Sequence, residues 1–398
     1  MIQRKAFKYR LKTKPEDELL MKQFAGCCRF VWNKALALQK ERLDTGERTL
    51  SYNKLALFLP EWKQEHPFLA DAPSQTLQQV LMNLDRALKD AFDRKQPDKE
   101  FPVFKKKHIS RDSFRYPQGF QLHGNRVFLP KLGWIGFRKS RPIEGIVRNA
   151  TISRKGDHWF LSIQTEREVT EPKHPSTSLI GIDRGIKRFA ALSDGTFYDP
   201  LNAFRKLESK LVKEQRKLSR KTKRSQNWYK QKARITRLHI QIADMRNDHL
   251  HKLSTTISKS HAVVVLEDLK IKNMSASAQG TIETPGRKVK QKAGLNKSIL
   301  DQGWGNFRLY LEYKQALRGG WVIYVNPAYT SQTCSGCGDI HPDNRKSQAE
   351  FVCRSCGLTL NADVNAAINI ARAGHAQLAC QANGAVMPSA TGTPRLAA

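Results

Sequence analysis

The sequence predicts a multidomain α+β protein: a small N-terminal β-barrel carrying an inserted helical bundle, then an α/β domain with an inserted four-cysteine ribbon. Three observations predict it. The apolar period is two at the start, changes to the helical period over residues 16–95, and returns to two over residues 113–170. Two apolar runs, residues 179–182 and 262–266, each lead into an acid. Two CxxC pairs stand fifteen residues apart near the C-terminal end.

The 398 residues suffice for two or three domains with their own cores. Lys and Arg outnumber Asp and Glu by 69 to 36, a formal charge of +33, which points to a polyanionic partner. Nucleic acid fits better than a membrane surface, because no long apolar span and no signal-like N-terminus are present. The expected location is cytoplasmic, in association with a bacterial or archaeal nucleoid. Of the seven cysteines, Cys27 and Cys28 fall in an apolar helical pattern and read as core; Cys380 reads as a free thiol, in keeping with a reducing compartment.

In chain order, residues 7–12 alternate apolar side chains with three cations and form the first strand. Leu19, Leu20, Phe24, Cys27, Phe30 and Val31, then Leu77, Val80, Leu81, Leu84, Leu88 and Phe92, set out the bundle. Ser51 and Ser74 are placed to cap new helices, with Pro60 and Pro73 as breaks. At the bundle's exit, Phe101 and Phe104 stand beside Lys105, Lys106 and Lys107. That mixture suits base stacking with phosphate contact, and equally a solvated basic loop. Residues 120–122, 126–129, 134–137, 150–154 and 158–164 read as five short strands with tight turns at Gly124-Asn125 and Gly156-Asp157. Together with the first strand they imply a barrel or curled sheet, and residues 171–178 then read as a linker.

The second half begins with an apolar strand ending at Asp183, an acid that can also be explained as part of an Asp-x-Gly turn. Asp194-Gly195 joins the next two strands as a hairpin. Residues 204–234 carry thirteen basic and two acidic residues in a helical frame, so Arg216, Lys217, Arg220, Lys221 and Arg224 are candidate nucleic-acid contacts at the tip of a helical hairpin. In residues 262–269, alternation puts Glu267 on the face of Val263 and Val265 and turns Asp268 away. Glu267 is the candidate ligand and Asp268 a salt-bridge or turn residue. Residues 272–298 read as a mobile lid or disordered loop, followed by a helix stopped at Gly319-Gly320 and a strand over residues 321–325.

Cys334, Cys337, Cys353 and Cys356 have the spacing of a tetrahedral zinc site. Two disulfides are the alternative, and they fit poorly with a chain lacking a secretory signal. Four sulfurs leave no open coordination position, so this zinc is expected to be structural. Asn361 is placed to cap a last helix with Gly374 as its stop, which sets Asp363 in the first turn. A carboxylate there suits a metal, and it is also an ordinary helix start. Asp183, Glu267 and Asp363 thus stand on separate elements; gathered beyond the carboxyl ends of strands they can hold two magnesium ions, with manganese as a substitute, across a scissile phosphate. From His375 onward no periodicity remains, and a frayed tail is expected.

With Gly181-Ile-Asp-Arg-Gly185, Val265-Leu-Glu-Asp-Leu269, the four-cysteine ribbon and Asn361-Ala-Asp-Val-Asn-Ala-Ala367 in this order, the chain resembles the transposon-encoded TnpB (OrfB-type) family, compact relatives of type V CRISPR effectors. The resemblance spans nearly the whole chain. It implies an RNase H-like RuvC nuclease domain at residues 178–330 and 358–374, a zinc ribbon at 331–357 and a disordered tail at 375–398. It likewise implies a wedge barrel at residues 1–14 and 111–172, a helical recognition domain at 15–110 and a linker at 173–177. Asp183, Glu267 and Asp363 would be the catalytic acids, and the four cysteines the zinc ligands. The partners would be a guide RNA from the element's end, held by a monomeric protein, and double-stranded DNA cut beside a short motif. Many relatives place a basic residue just before the last acid; here it is Ala362. The alternatives are an RNA-guided DNA-binding repressor with a weak or dead nuclease, which three intact acids argue against, and a strand-transfer transposase, which the ribbon before the last acid argues against.

Overall fold

In the computed structural model, which describes residues 1–107 and 110–382, the chain divides into two units, residues 1–170 and residues 171 onward. The first is organised by β1 (Ile2–Lys12), longer than the sequence predicts. Its Phe7, Tyr9 and Leu11 are buried while the intervening Lys8 and Lys12 face out, the period-two pattern of a half-buried strand. The helices α1 (Pro15–Asp44), α2 (Tyr52–Ala56), α3 (Phe58–Glu65) and α4 (Ser74–Phe92) follow, then β2 (Ser113–Tyr116), β3 (Gln121–His123), β4 (Arg126–Leu129), β5 (Gly133–Phe137), β6 (Ile146–Lys155) and β7 (His158–Glu168). The sheet order is β2-β6-β7-β1-β5-β4-β3, all antiparallel. β1 pairs with β7 from Ile2 to Arg10 and passes to β5 at Leu11.

Three details depart from the sequence reading. Among the described residues the ladder has β2 and β3 as its two ends, the open form of the expected barrel or curled sheet, and β2 itself is not among the expected strands. Pro60 does not break a helix: it lies in the first turn of α3, where its missing N–H has no intrahelical partner to lose. Helices and sheet also share one core, with Phe24 edge-on to Phe114 at 5.8 Å and Phe114 against Trp159 at 6.2 Å.

The second unit holds β8 (Leu179–Arg184), β9 (Ala190–Leu192), β10 (Phe197–Tyr198), α5 (Ala203–Ser219), α6 (Gln226–Ser260), β11 (Val263–Glu267), α7 (Ile271–Met274), α8 (Val289–Gln302), α9 (Trp304–Arg318), β12 (Trp321–Val325), β13 (Glu350–Val352), β14 (Thr359–Asn361) and α10 (Ala362–Ala382). Its five-stranded sheet runs β10-β9-β8-β11-β12, with β8, β11 and β12 parallel. One face is covered by α6 and α9 through Leu250, Ile257, Phe307 and Leu311. The other is covered by α10, whose Ile370 packs with Val263 and Val265. The expected linker is held down here, His174 Nε2 lying 3.0 Å from the Ser258 carbonyl oxygen.

Much of the expected lid is helix, since α8 occupies residues 289–302. The expected frayed tail is also helical as far as Ala382, and its remainder, residues 383–398, lies outside the described residues. Gly374 therefore is not a helix stop. A Cβ at Gly374 would overlap the Val265 side chain, and one at Gly181 would overlap the Ala367 carbonyl, so the two glycines let α10 lie directly on β8 and β11.

This close approach sets opposite signs for two glycine substitutions. Gly374→Ala is expected to lower stability by about 1–3 kcal/mol through overpacking. Gly305→Ala, in α9 with no atom within 4 Å of the new Cβ, is expected to raise it by about 0.5–1 kcal/mol. Chemical denaturation of the two variants checks both.

Candidate active site and metal centre

The sheet brings the three candidate acids to one end. β8 and β11 are parallel neighbours in register, Ile182 opposite Leu266, so Asp183 and Glu267 follow side by side at the carboxyl ends of the two strands. Asp363 joins them from the first turn of α10, where Asn361 Oδ1 accepts the backbone N–H groups of Asp363 (3.0 Å) and Val364 (3.3 Å). The three carboxylates do not close to within 4.8 Å of one another as a group. They are coupled by charge instead.

Burial first, then the charges of Glu267 and Asp363, push the Asp183 carboxyl up to about 7. Burial also raises Glu267, which is 8 % exposed, and Asp363, which is half-buried. Three groups oppose this. The Thr330 hydroxyl donates to Glu267 Oε1 at 2.7 Å. Arg345 Nη2 lies 3.3 Å from Asp363 Oδ1. The buried Arg184 donates through Nη2 to the Glu267 backbone carbonyl at 2.5 Å, and its positive charge lowers both Glu267 and Asp183. Asp268, turned the other way, pairs with Lys270 at 2.6 Å and Arg308 at 3.3 Å.

Beside the acids, Cys334, Cys337, Cys353 and Cys356 place their sulfurs within 4.8 Å of one another, a set that could hold a metal ion such as zinc. Gly338 and Gly357 take positive φ after each knuckle, and Gly336 N–H points at Cys334 Sγ at 3.3 Å. The fully buried Asn344 ties the knuckles together. It donates to the Gln332 carbonyl (3.3 Å) and Asp339 Oδ2 (3.0 Å) and accepts from Arg354 N–H (3.0 Å). The next residue is Arg345, so the ribbon's fold sets where that guanidinium meets Asp363.

Two asparagines fasten the ribbon to α10. Asn365 accepts from Ser335 N–H at 2.9 Å and donates to the Thr333 carbonyl at 2.8 Å; Asn369 donates to the carbonyls of Thr330 and Thr333. Thr330, held this way, is the residue that binds Glu267. Sequence reasoning did not single out Thr330, Arg345 or Arg184. Only Arg184 left a signal, as a cation beside an acid at a strand end.

The candidate nucleic-acid residues divide. Arg216, Lys217 and Arg220 line an open groove of about 760 Å³ along α5 with Arg205 and Lys213. Lys221 and Arg224 stand just beyond, Arg224 with φ 71° in the turn to α6. Lys106 and Lys107 are exposed. Lys105 is not available in the same way, because its ammonium sits 3.7 Å above the Trp32 ring and burial holds its pKa below the usual lysine range.

A raised carboxyl makes the native state bind a proton that the unfolded chain has already lost. Stability therefore falls as pH rises from about 4 to about 7, and the loss is complete above that window. In magnesium-free buffer the melting temperature is expected to be lower at pH 8 than at pH 5.5, and Asp183→Asn is expected to shrink the difference by several degrees. Parent and variant curves falling in parallel would count against the coupling.

Comparison with known proteins places this geometry in a family. The model described as "OrfB_IS605: Probable transposase" matches residues 162–278, and the Cas12f1-like TNB domain matches residues 304–370. A helix-turn-helix model matches residues 1–48, which here form one strand and one continuous helix. A protein of Escherichia coli named "Putative RNA-guided DNA endonuclease InsQ" is 52% identical over 94% of this chain and 93% of its own. One of Streptomyces pristinaespiralis named "Putative RNA-guided DNA endonuclease" is 33% identical over 95% and 91%. The solved Cas12f1-sgRNA-target DNA complex aligns over 93% of this chain and 99% of its own at 18% identity and a TM-score of 0.35, too loose a likeness to bear on the architecture. Identity over nearly the full length, together with both family models, shows that the chain belongs to the transposon-encoded TnpB (OrfB-type) family.

Proposed function

We propose that the protein is an RNA-guided DNA endonuclease of a transposable element, hydrolysing phosphodiester bonds at Asp183, Glu267 and Asp363 in an RNase H-like RuvC domain. The observation that carries this is the gathering of Asp183 and Glu267 at the ends of two parallel strands with Asp363 in the first turn of α10, where burial first, and then the charges of the other two acids, push Asp183 up to about 7. An acidic trio of this kind, only partly offset by Arg184 and Arg345, suits hard divalent cations with oxygen ligands. Asp183, Glu267 and Asp363 would hold magnesium, which when bound supplies Lewis-acid chemistry at the scissile phosphate.

The chain's own groups prepare that site. Thr330 fixes one oxygen of Glu267 and leaves the other free. Arg184 supports the backbone beneath Glu267 and offsets part of the negative charge. Arg345 orients Asp363 and adds a guanidinium able to meet a phosphate oxygen, which supplies from the ribbon the cation that Ala362 does not. Zinc on the four cysteines would be structural, since all four positions of a tetrahedral site are taken by sulfur.

Guidance by RNA, the function carried in the names of the relatives, accords with a formal charge of +33 and the basic groove on α5. Sequence choice would come from base pairing, with the protein reading duplex shape and a short flanking motif. The first unit would hold the RNA and that motif.

Asp183→Ala is expected to reduce magnesium-dependent cutting of a matched target at least a thousandfold while RNA and DNA binding stay within about threefold. Retained cutting would remove the mechanism, and binding without product in the parent would turn the protein into a guided repressor. Cys353→Ser is expected to lose the one bound zinc per chain, measured by elemental analysis, and to depress cutting by releasing Arg345.

A further inference from the structure

The first unit carries an aromatic surface with no part in the acid site. In β4 and β5, Val127, Leu129, Ile135 and Phe137 are buried, so alternation puts Arg126, Phe128, Trp134 and Gly136 on the opposite face. Phe128 and Trp134 are direct cross-strand partners with ring centroids 5.6 Å apart. The His123 ring lies 6.5 Å from Trp134, edge to face, and the Arg126 guanidinium lies 5.9 Å from the same indole. Lys12 pairs with Gly136 and lays its side chain across it, which brings a second cation to this face.

Trp134 remains 42% exposed, so core packing does not explain its place. A tryptophan left open on a sheet, with a glycine in the same strand two positions on, presents a flat ring face rather than a filled ridge. The cations at this face, Arg126 and Lys12, bear on the charge of the occupant, and the segment 113–143 that supplies β4 and β5 contains six Lys or Arg and no Asp or Glu. A protein partner has no need of such a cationic frame, whereas a nucleic acid supplies both the flat apolar base and the anionic backbone.

We infer that this face is a stacking platform for an unpaired base of RNA, with Trp134 beneath the base and Arg126 and Lys12 on the flanking phosphates. The inference rests on the proposed function and locates part of the RNA contact that function requires. RNA is the occupant because a guide stays on the protein between targets and so covers an apolar ring that would otherwise face water. Gln121 and His123 on the neighbouring strand also supply polar atoms that a ribose 2′-hydroxyl can meet.

The test uses the full-length protein, freed of co-purified RNA at high salt and titrated with a ten-nucleotide oligouridine and the matching deoxy-oligomer at several salt concentrations. Trp134→Ala is expected to weaken RNA binding about 5- to 150-fold without changing the salt slope or the melting temperature. Trp134→Phe is expected to restore most of the loss. Arg126→Ala is expected to lower the salt slope by about one. Unchanged affinity in Trp134→Ala would overturn the platform, as would a loss accompanied by a fall in melting temperature that Phe does not restore. Tighter binding of the deoxy-oligomer would overturn the assignment to RNA. A parent protein that holds no RNA at all would bring down the proposed function as well; a parent that holds RNA and cuts, beside a Trp134→Ala variant that binds equally, would remove the platform alone.

Discussion

The desolvation of three partly buried carboxylates, sharpened at Asp183 by the charges of the other two, is the constraint around which the second unit is built. Burial raises the proton affinity of all three, and Asp183 reaches about 7 because the charges of Glu267 and Asp363 add to its desolvation. Nothing in the fold would gather such groups for stability's sake. What keeps them together is apolar: a parallel β8-β11-β12 core, covered on one side by α6 and α9 and on the other by a helix that two glycines allow to lie against the strands. Packing thus supplies the position of the three acids, and Arg184 and Arg345 offset part of their charge.

The ribbon is the second half of that arrangement. Four cysteines and Asn344 fix its turns, Asn365 and Asn369 fasten it to α10, and Arg345 within it meets Asp363 while Thr330, just before it, meets Glu267. The four-sulfur cluster and the positions of the acids are therefore linked through a short series of hydrogen bonds rather than by proximity alone. This gives a physical reason for the ribbon to stand immediately before the last acid in the sequence.

Some of this was legible in the order of residues and some was not. Asp183, Glu267 and the two cysteine pairs sit at ends of apolar runs or at fixed spacing, and local pattern is enough to find them. Period-two alternation turns Asp268 away from Glu267 and leaves it a salt-bridge or turn role; the structure shows the salt bridges, to Lys270 and Arg308. By contrast, Arg345 lies in an irregular stretch between knuckles, and its contact with Asp363 depends on how the ribbon folds back, which no local pattern records. Gly374 misled for a related reason. A glycine near the end of an apolar run resembles a helix stop, yet its purpose is tertiary, making room for Val265. The polar composition of residues 272–298 suggests a mobile lid or disordered loop, yet residues 289–298 belong to α8, which Ile299, just beyond them, anchors in the core. In the first unit the strand positions were readable, whereas closure of the sheet was not, since only pairing between β2 and β3 would decide it.

The central claim is that the three acids act together as a divalent-cation site distinct from the four sulfurs. Titrating manganese into the zinc-loaded protein, with bound ion counted by electron paramagnetic resonance, tests it most directly. Saturable binding in the parent that disappears in Glu267→Gln, with zinc content unchanged, is the expected result. Manganese binding equally to both proteins would contradict it.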